Sequence, residues 1–387
     1  MDKSANKRLL ALDVLRGITV AGMIMVNNPG SWGSIYAPLS HASWNGLTPT
    51  DLVFPFFMFI MGISTYMSLR KYDFTFTKEA GWKILKRTIV IFAIGLAIAW
   101  FGLAIRTWNG LASESLGLGE RLFKSIFVFE NLRILGVMPR LALTYGATAI
   151  IALLVKHRYF PILIFGLLAT YAVILLLGNG YAYDETNILS VVDRAILGVN
   201  HMYRDNGIEP EGLLSTIPAI AHVMLGFYIG KLFVAAKTIQ DKIEMLFIWG
   251  AILTFAGLLL AYGLPINKKI WSPTFVMVTC GLASTLLALL VWIIDVKDRK
   301  RWATFFISFG VNPLFIYVFG AFLSICFGSI LFPYQDGSIS IHGYTYGVLL
   351  KPFFGNYLGS LIYALLFVSI NWIIGYQLYK RKIYIKI

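Results

Sequence analysis

The sequence predicts an all-α fold: a polytopic transmembrane bundle of about ten spans with both termini in the cytoplasm. Three observations carry that expectation. The 387 residues are 58% hydrophobic and only 13% charged, against about 25% charged in soluble domains. Apolar runs near the roughly 20 residues that a span needs recur from end to end. Lys and Arg are divided unequally between alternate loops, as expected when basic residues stay in the cytoplasm.

Apolar length and helix breakers place the spans at about 9–28, 51–69, 83–105, 139–155, 159–178, 212–235, 245–264, 272–294, 303–331 and 354–379. The first follows Met1-Asp2-Lys3-Ser4-Ala5-Asn6-Lys7-Arg8. It carries Asp13 and Arg16 and no small-residue cleavage pattern, so it reads as a retained helix rather than a removed signal. Asn312-Pro313 breaks the ninth span. The aromatic stretch 331–353 has room for a short interfacial helix. With the N-terminus inside, 22 basic residues face the cytoplasm and 10 the other side. The extracytoplasmic loops are then 29–50, 106–138, 179–211, 265–271 and 332–353, within one domain covering 1–387. No fixed-period repeat or soluble domain interrupts it.

A net charge of +14 invites a nucleic-acid reading. The basic residues lie instead in short loops beside apolar runs, where they set topology, so no nucleic-acid partner is expected. Cys280 and Cys326 sit in apolar runs and imply neither disulfide nor metal. Walker A, His-Glu-x-x-His and Gly-x-Ser-x-Gly patterns are absent from the sequence.

His41 is the leading chemical candidate. It lies in the uncharged stretch Ser40-His41-Ala42-Ser43-Trp44-Asn45-Gly46-Leu47-Thr48 between two spans. Its imidazole can exchange a proton near neutral pH. Asn45 and Asp51 are close enough in sequence to orient the ring, although Asp51 is also well placed simply to start a helix. Asn27 and Asn28 end the first span before Pro29-Gly30. Either they cap its carbonyls, or Asn27 polarises a carbonyl near His41.

Arg133 and Arg140 flank the start of the fourth span. They read as interfacial snorkels or as a clamp on a polar ligand. Loop 179–211 supplies Asp193, His201 and Glu211 with Tyr181, Tyr183 and Tyr203, and Trp271 closes the turn at 265–271. Carboxylates and amides beside aromatic rings suit a sugar; a solvated loop is the alternative. Asp13 and Arg16 share a helix face at i, i+3. A structural ion pair or snorkelling is the first explanation of the two, although intramembrane charges are costly enough to suggest a function. His157 reads as a surface residue in a cytoplasmic turn, and His222 as a core residue.

These motifs carry a resemblance. His41-Ala42-Ser43-Trp44-Asn45-Gly46-Leu47-Thr48, followed by Asp51-Leu52-Val53-Phe54-Pro55-Phe56-Phe57, resembles the heparan-alpha-glucosaminide N-acetyltransferase family, the lysosomal enzyme and its bacterial relatives. Leu12-Asp13-Val14-Leu15-Arg16-Gly17 is similar to that family's opening motif. Later matches are Arg133-Ile134-Leu135-Gly136-Val137 through Arg140, Val192-Asp193-Arg194 with His201, Pro210-Glu211-Gly212, Pro265-Ile266-Asn267-Lys268 with Trp271-Ser272, and Asn312.

The resemblance implies a transmembrane acetyltransferase. Acetyl-CoA would donate from the cytoplasm to the amine of a glucosamine-type sugar on the far side. The family's histidine and asparagine fall on His41 and Asn27, with Asn45 and Asp51 in support. Arg133, Arg140, Asp193, His201, Glu211 and Trp271 would hold the acceptor. Asp13, Arg16, Lys83, Lys86, Arg87, Lys156, Arg158 and Asn312 would face acetyl-CoA, and no metal is expected. The implied location is a bacterial inner membrane among lipids, with a homodimer among the partners this reading admits. An amino-sugar transporter and an acyltransferase with another acceptor remain as alternatives.

Overall fold

A computed structural model describes residues 10–203, 205–335 and 337–385. The chain is a helical membrane bundle. In order it forms α1 (Leu10–Val26), α2 (Val53–Leu69), α3 (Lys78–Gly110), α4 (Leu118–Ile126), α5 (Val137–Leu154), α6 (Phe160–Leu177), α7 (Ile188–Leu197), α8 (Thr216–Ala235), α9 (Ile239–Leu260), α10 (Pro273–Val291), α11 (Ala303–Gly310) and α12 (Pro313–Ser329). A hairpin of β1 (Leu331–Tyr334) and β2 (Gly337–Ser340) follows, then α13 (Ile341–Gly343), a π-helical stretch Tyr344–Leu350 and α14 (Lys351–Lys380).

Among the described residues, eight helices are long and apolar enough to cross a membrane, and nine if α11 and α12 count as one. The described part of α1 has 17 residues, about 25 Å at 1.5 Å per residue. The expected span 9–28 begins outside the described residues.

Three expectations change. The third helix is not 83–105 but Lys78–Gly110, roughly 50 Å long, so it projects beyond an apolar layer of about 30 Å. Apolar length alone cannot see such polar extensions. The ninth span is two helices bent by 84° at Asn312-Pro313. Pro313 has no N–H to continue the ladder. Asn312 redirects its own bonding: its amide donates to Ile383 O at 2.8 Å and its oxygen accepts from Ile385 N at 2.8 Å. The stretch 332–353, expected as an outer loop with room for a short helix, holds a helical run into α14 and also part of an unexpected small antiparallel hairpin, in register Leu331↔Ser340. Gly355, at φ 73°, kinks α14 near its start.

α1 sits at the centre and packs against α2, α10, α11, α12 and α14. Its crossing with α11 is close enough to need glycine. A Cβ on Gly17 would fall 1.8 Å from Phe306 O, and one on Gly310 would fall 1.9 Å from Asp13 O. At that crossing Arg16 bonds Asp13 at 3.0 Å, Gly310 O at 3.2 Å and Ser64 Oγ at 2.8 Å. The part-buried guanidinium is thus hydrogen-bonded on several sides, which lowers the cost of removing it from water. α3, α6 and α9 leave much apolar surface exposed, as lipid-facing helices do.

Candidate functional site

The loop 40–48 is built on Asp51. Its carboxylate is 1% exposed and opens the turn Pro49–Leu52 ahead of α2. Oδ2 accepts from Ala42 N and Thr48 N, each at 3.1 Å. Oδ1 lies 2.6 Å from His41 Nδ1. An ionised carboxylate only accepts, so Nδ1–H donates to it and Nε2 is the ring nitrogen left for other partners. The His41 side chain is 41% exposed. Asp51 therefore starts the helix and also orients the ring. Asn45 does not reach His41. Its Oδ1 accepts from Asn267 Nδ2 at 3.1 Å, which fastens loop 265–271 onto this loop, as does Gly46 N to Ile266 O at 2.8 Å.

That fastening brings in Lys268, whose Nζ lies 3.0 Å from His41 Nδ1 and 3.4 Å from Asp51 Oδ1. Burial lowers its affinity for a proton, with Asp51 and Glu211 pulling the other way.

His41 and Asp51 line an outer cavity of about 560 Å³ with Asn27, Arg133, Glu211, Lys268, Lys269, Asp205, Trp271 and Tyr317. Asn28 is the capping residue, donating to Ile24 O at 2.7 Å. Asn27 is exposed to the cavity. Arg133 bridges Glu209 and Glu211. Burial opposes its charge, but the two carboxylates hold its proton affinity above the usual range. Lys269 pairs with Asp205 at 2.9 Å and lies over the Tyr183 ring, itself stacked on Trp44. Trp271, at φ 53°, is 1% exposed and forms part of the wall.

Three expected ligand residues lie behind that wall. Arg140 is fully buried, donates to Gly212 O and Ser215 Oγ, and packs over Trp271. Asp193 is buried, accepts from Leu213 N at 2.8 Å and presses against Gly212, where a Cβ would fall 1.8 Å from its Oδ2. Burial raises its pKa to about 6. His201 Nδ1 lies 2.8 Å from Leu132 O, clipping two outer loops together. These residues hold the segments that carry Arg133 and Glu211.

A second, inner cavity of about 350 Å³ is lined by Arg16, Ser64, Lys83, Arg87, Leu141, Leu314 and Ile385. It shares four helices with the outer one, while α3 supplies Lys83, Arg87 and Ile91 to the inner cavity alone. α1 supplies Arg16 inside and Asn27 just beyond its outer end, eleven residues or about 16 Å along the axis. α2 supplies Phe57 and Phe54, α5 Leu141 and Val137, and α12 Leu314 and Tyr317. The outer lining balances three cations against three carboxylates. The inner lining has basic side chains and no acidic one among the described residues.

Other expected cofactor residues are elsewhere. Lys86 is exposed on α3, Lys156 and Arg158 are exposed beside the turn His157–Tyr159, and Asp13 is the partner of Arg16. Asn312 pins Ile385 into the inner wall without lining it. His157 is not a surface residue. It is half-buried among Phe74, Phe160 and Phe227, with Nε2 3.0 Å from Ala152 O. His222 is a core residue, 2.8 Å from Pro55 O. The described residues contain no His, Cys, Asp and Glu group suited to a metal.

Sequence reasoning passed over Lys268, Lys269 and Asp205 as site residues. A signal existed: two adjacent lysines in a short turn between apolar runs, directly before Trp271-Ser272-Pro273.

The chain is similar to heparan-alpha-glucosaminide N-acetyltransferases. It is 27% identical to the one from Mus musculus, across 82% of this chain and 54% of that protein. With the one from Homo sapiens it shares 28% identity, across 80% and 52%. The chain spans about half the length of the curated relatives it matches. The match bears out the resemblance carried by the motifs. No family model matches the chain.

Proposed function

We propose that the chain transfers an acetyl group across a membrane, from acetyl-CoA on the cytoplasmic side to the amine of a glucosamine-type sugar on the other. The observation that carries this reading is the pair of cavities joined by four shared helices. The inner one is basic and suits the phosphates of CoA; the outer one holds a histidine oriented by a buried carboxylate. Arg16, Lys83 and Arg87 would meet the nucleotide end, and the thin thioester arm would run outward between α1, α2, α5 and α12.

In the outer cavity the uncharged amine attacks the thioester carbonyl as His41 Nε2 takes its proton. Asn27 Nδ2 steadies the developing oxyanion. When the carbon–sulfur bond breaks, the thiolate leaves and the imidazolium returns the proton to it. Amide and CoA thiol are the products, and His41 is restored. A route in which His41 first accepts the acetyl group uses the same residues. The balanced outer lining, with Trp271 and Tyr203, suits a polar sugar better than a strongly charged polymer.

The 22-to-10 division of basic residues supports cytoplasmic termini; ten spans and a bacterial inner membrane belong to the same proposal. A homodimer remains part of this reading. The experiment is direct: purified protein in vesicles, labelled acetyl-CoA on one side and glucosamine on the other. Labelled N-acetyl product on the sugar side supports transfer. Sugar that crosses unmodified supports an amino-sugar transporter, and label on another amine supports a different acceptor.

A further inference from the structure

Two opposite charges converge on the inner edge of the His41 ring. Asp51 Oδ1 is 2.6 Å from Nδ1 and Lys268 Nζ is 3.0 Å from it. Nδ1–H donates to the carboxylate, so the ammonium cannot also donate to Nδ1. It makes its ion pair with Asp51 Oδ1 at 3.4 Å and touches the ring only through its field.

A carboxylate this close to an imidazole favours the imidazolium. An imidazolium cannot take a proton from an amine. A cation at nearly the same distance works against it. We infer that Lys268 is a positioning residue that offsets the Asp51 charge at the His41 ring, so that Asp51 can orient the imidazole for the base role proposed above.

The inference rests on the role proposed above for His41. The groups that bear on Lys268 are His41 and Asp51 on the 40–51 segment, Glu211 ahead of α8 and Lys269 beside it. Asn267 holds the turn in place through Asn45 and through its own Oδ1, which accepts from Ile270 N at 3.2 Å. The lysine is thus delivered by a fastened turn, with its side chain 21% exposed.

The test reads the charge on His41 without needing acetyl transfer. Diethyl pyrocarbonate reacts with uncharged imidazole, and mass spectrometry of the His41 peptide follows that reaction against pH in the intact protein. In Lys268→Met the pH of half-maximal reactivity should rise by about 1 unit or more, the usual effect of one charge at this range. Lys268→Arg should restore it, and Asp51→Asn should lower it. The acid limb of acetyl transfer should move by the same amount in Lys268→Met.

A purely structural lysine would change stability or rate and leave the midpoint in place. An unmoved midpoint in Lys268→Met, or in Asp51→Asn if the first variant does not fold, overturns the inference while leaving acetyl transfer standing. A moved midpoint in a protein that transfers no acetyl group supports the charge balance and rejects the enzymatic reading.

Discussion

The two cavities share four helices and differ in how their charges are handled. In the outer one, Arg133, Lys268 and Lys269 each face a carboxylate, in Glu209 with Glu211, in Asp51 and in Asp205. Fixed pairs position side chains and leave little net field. In the inner one, Lys83 and Arg87 line the wall, no acidic side chain among the described residues lines it, and Arg16 is paired with Asp13. An unbalanced basic wall attracts anions. On the function proposed above, one end serves geometry and the other capture, so substitutions at the two ends should fail differently.

The largest effect belongs to the outer end. His41→Ala should lower acetyl transfer by roughly 10²–10⁴-fold. The side chain is half-exposed, so the purified protein should keep its thermal transition and its acetyl-CoA binding. Near-wild-type turnover would remove the histidine from the chemistry and erase the contrast between the cavities.

Asn27→Ala comes next, with a loss of roughly 10²–10³-fold in kcat if the amide serves the oxyanion. An unchanged kcat with altered KM would make Asn27 a binding residue instead.

Asp193, behind the outer wall, provides a stability test. Its folded pKa of about 6 lies above the ordinary 3.8 because of burial. The folded state therefore holds this proton more tightly. The stability this adds is complete below about pH 4 and disappears as pH rises through 6. The amount is on the order of 3 kcal/mol. Asp193→Asn should unfold with a transition that is flatter between pH 4 and 7, and should gain at neutral pH. Identical pH profiles for the two proteins would refute this.

At the inner end the effect is smaller and of another kind. Arg87→Ala should raise KM for acetyl-CoA by about tenfold, as expected for one charged hydrogen bond, with kcat little changed. A fall in kcat alone would place Arg87 in the chemistry and blur the comparison.

Much of this was legible in the sequence. Apolar length located nearly every long helix, and His41, Asn27 and Asp51 could be chosen because polar residues beside spans are conspicuous. The break at Asn312-Pro313 followed from proline's missing donor. What could not be read was which polar residue faces a cavity and which backs it. Arg140 and Arg133 look alike in sequence, yet one is sealed behind Trp271 and the other lines the wall. That choice depends on contacts between residues far apart in the chain, such as Arg140 with Ser215, and no local pattern encodes it. The length of α3 and the hairpin at 331–340 were missed because polar helical turns and short strands carry little apolar signal.

The central position of α1 has a consequence for synthesis. Arg16 bonds Gly310, 294 residues later. At 5–20 residues per second that partner follows by roughly 15–60 s. Until then the first helix waits in the insertion machinery or the bilayer with its carboxylate–guanidinium pair unsealed and its glycine face open. A helper that shelters nascent segments has a natural client in that interval. Slowing translation between α10 and α11 should lengthen the exposure and increase degradation of chains whose other helices are already in place.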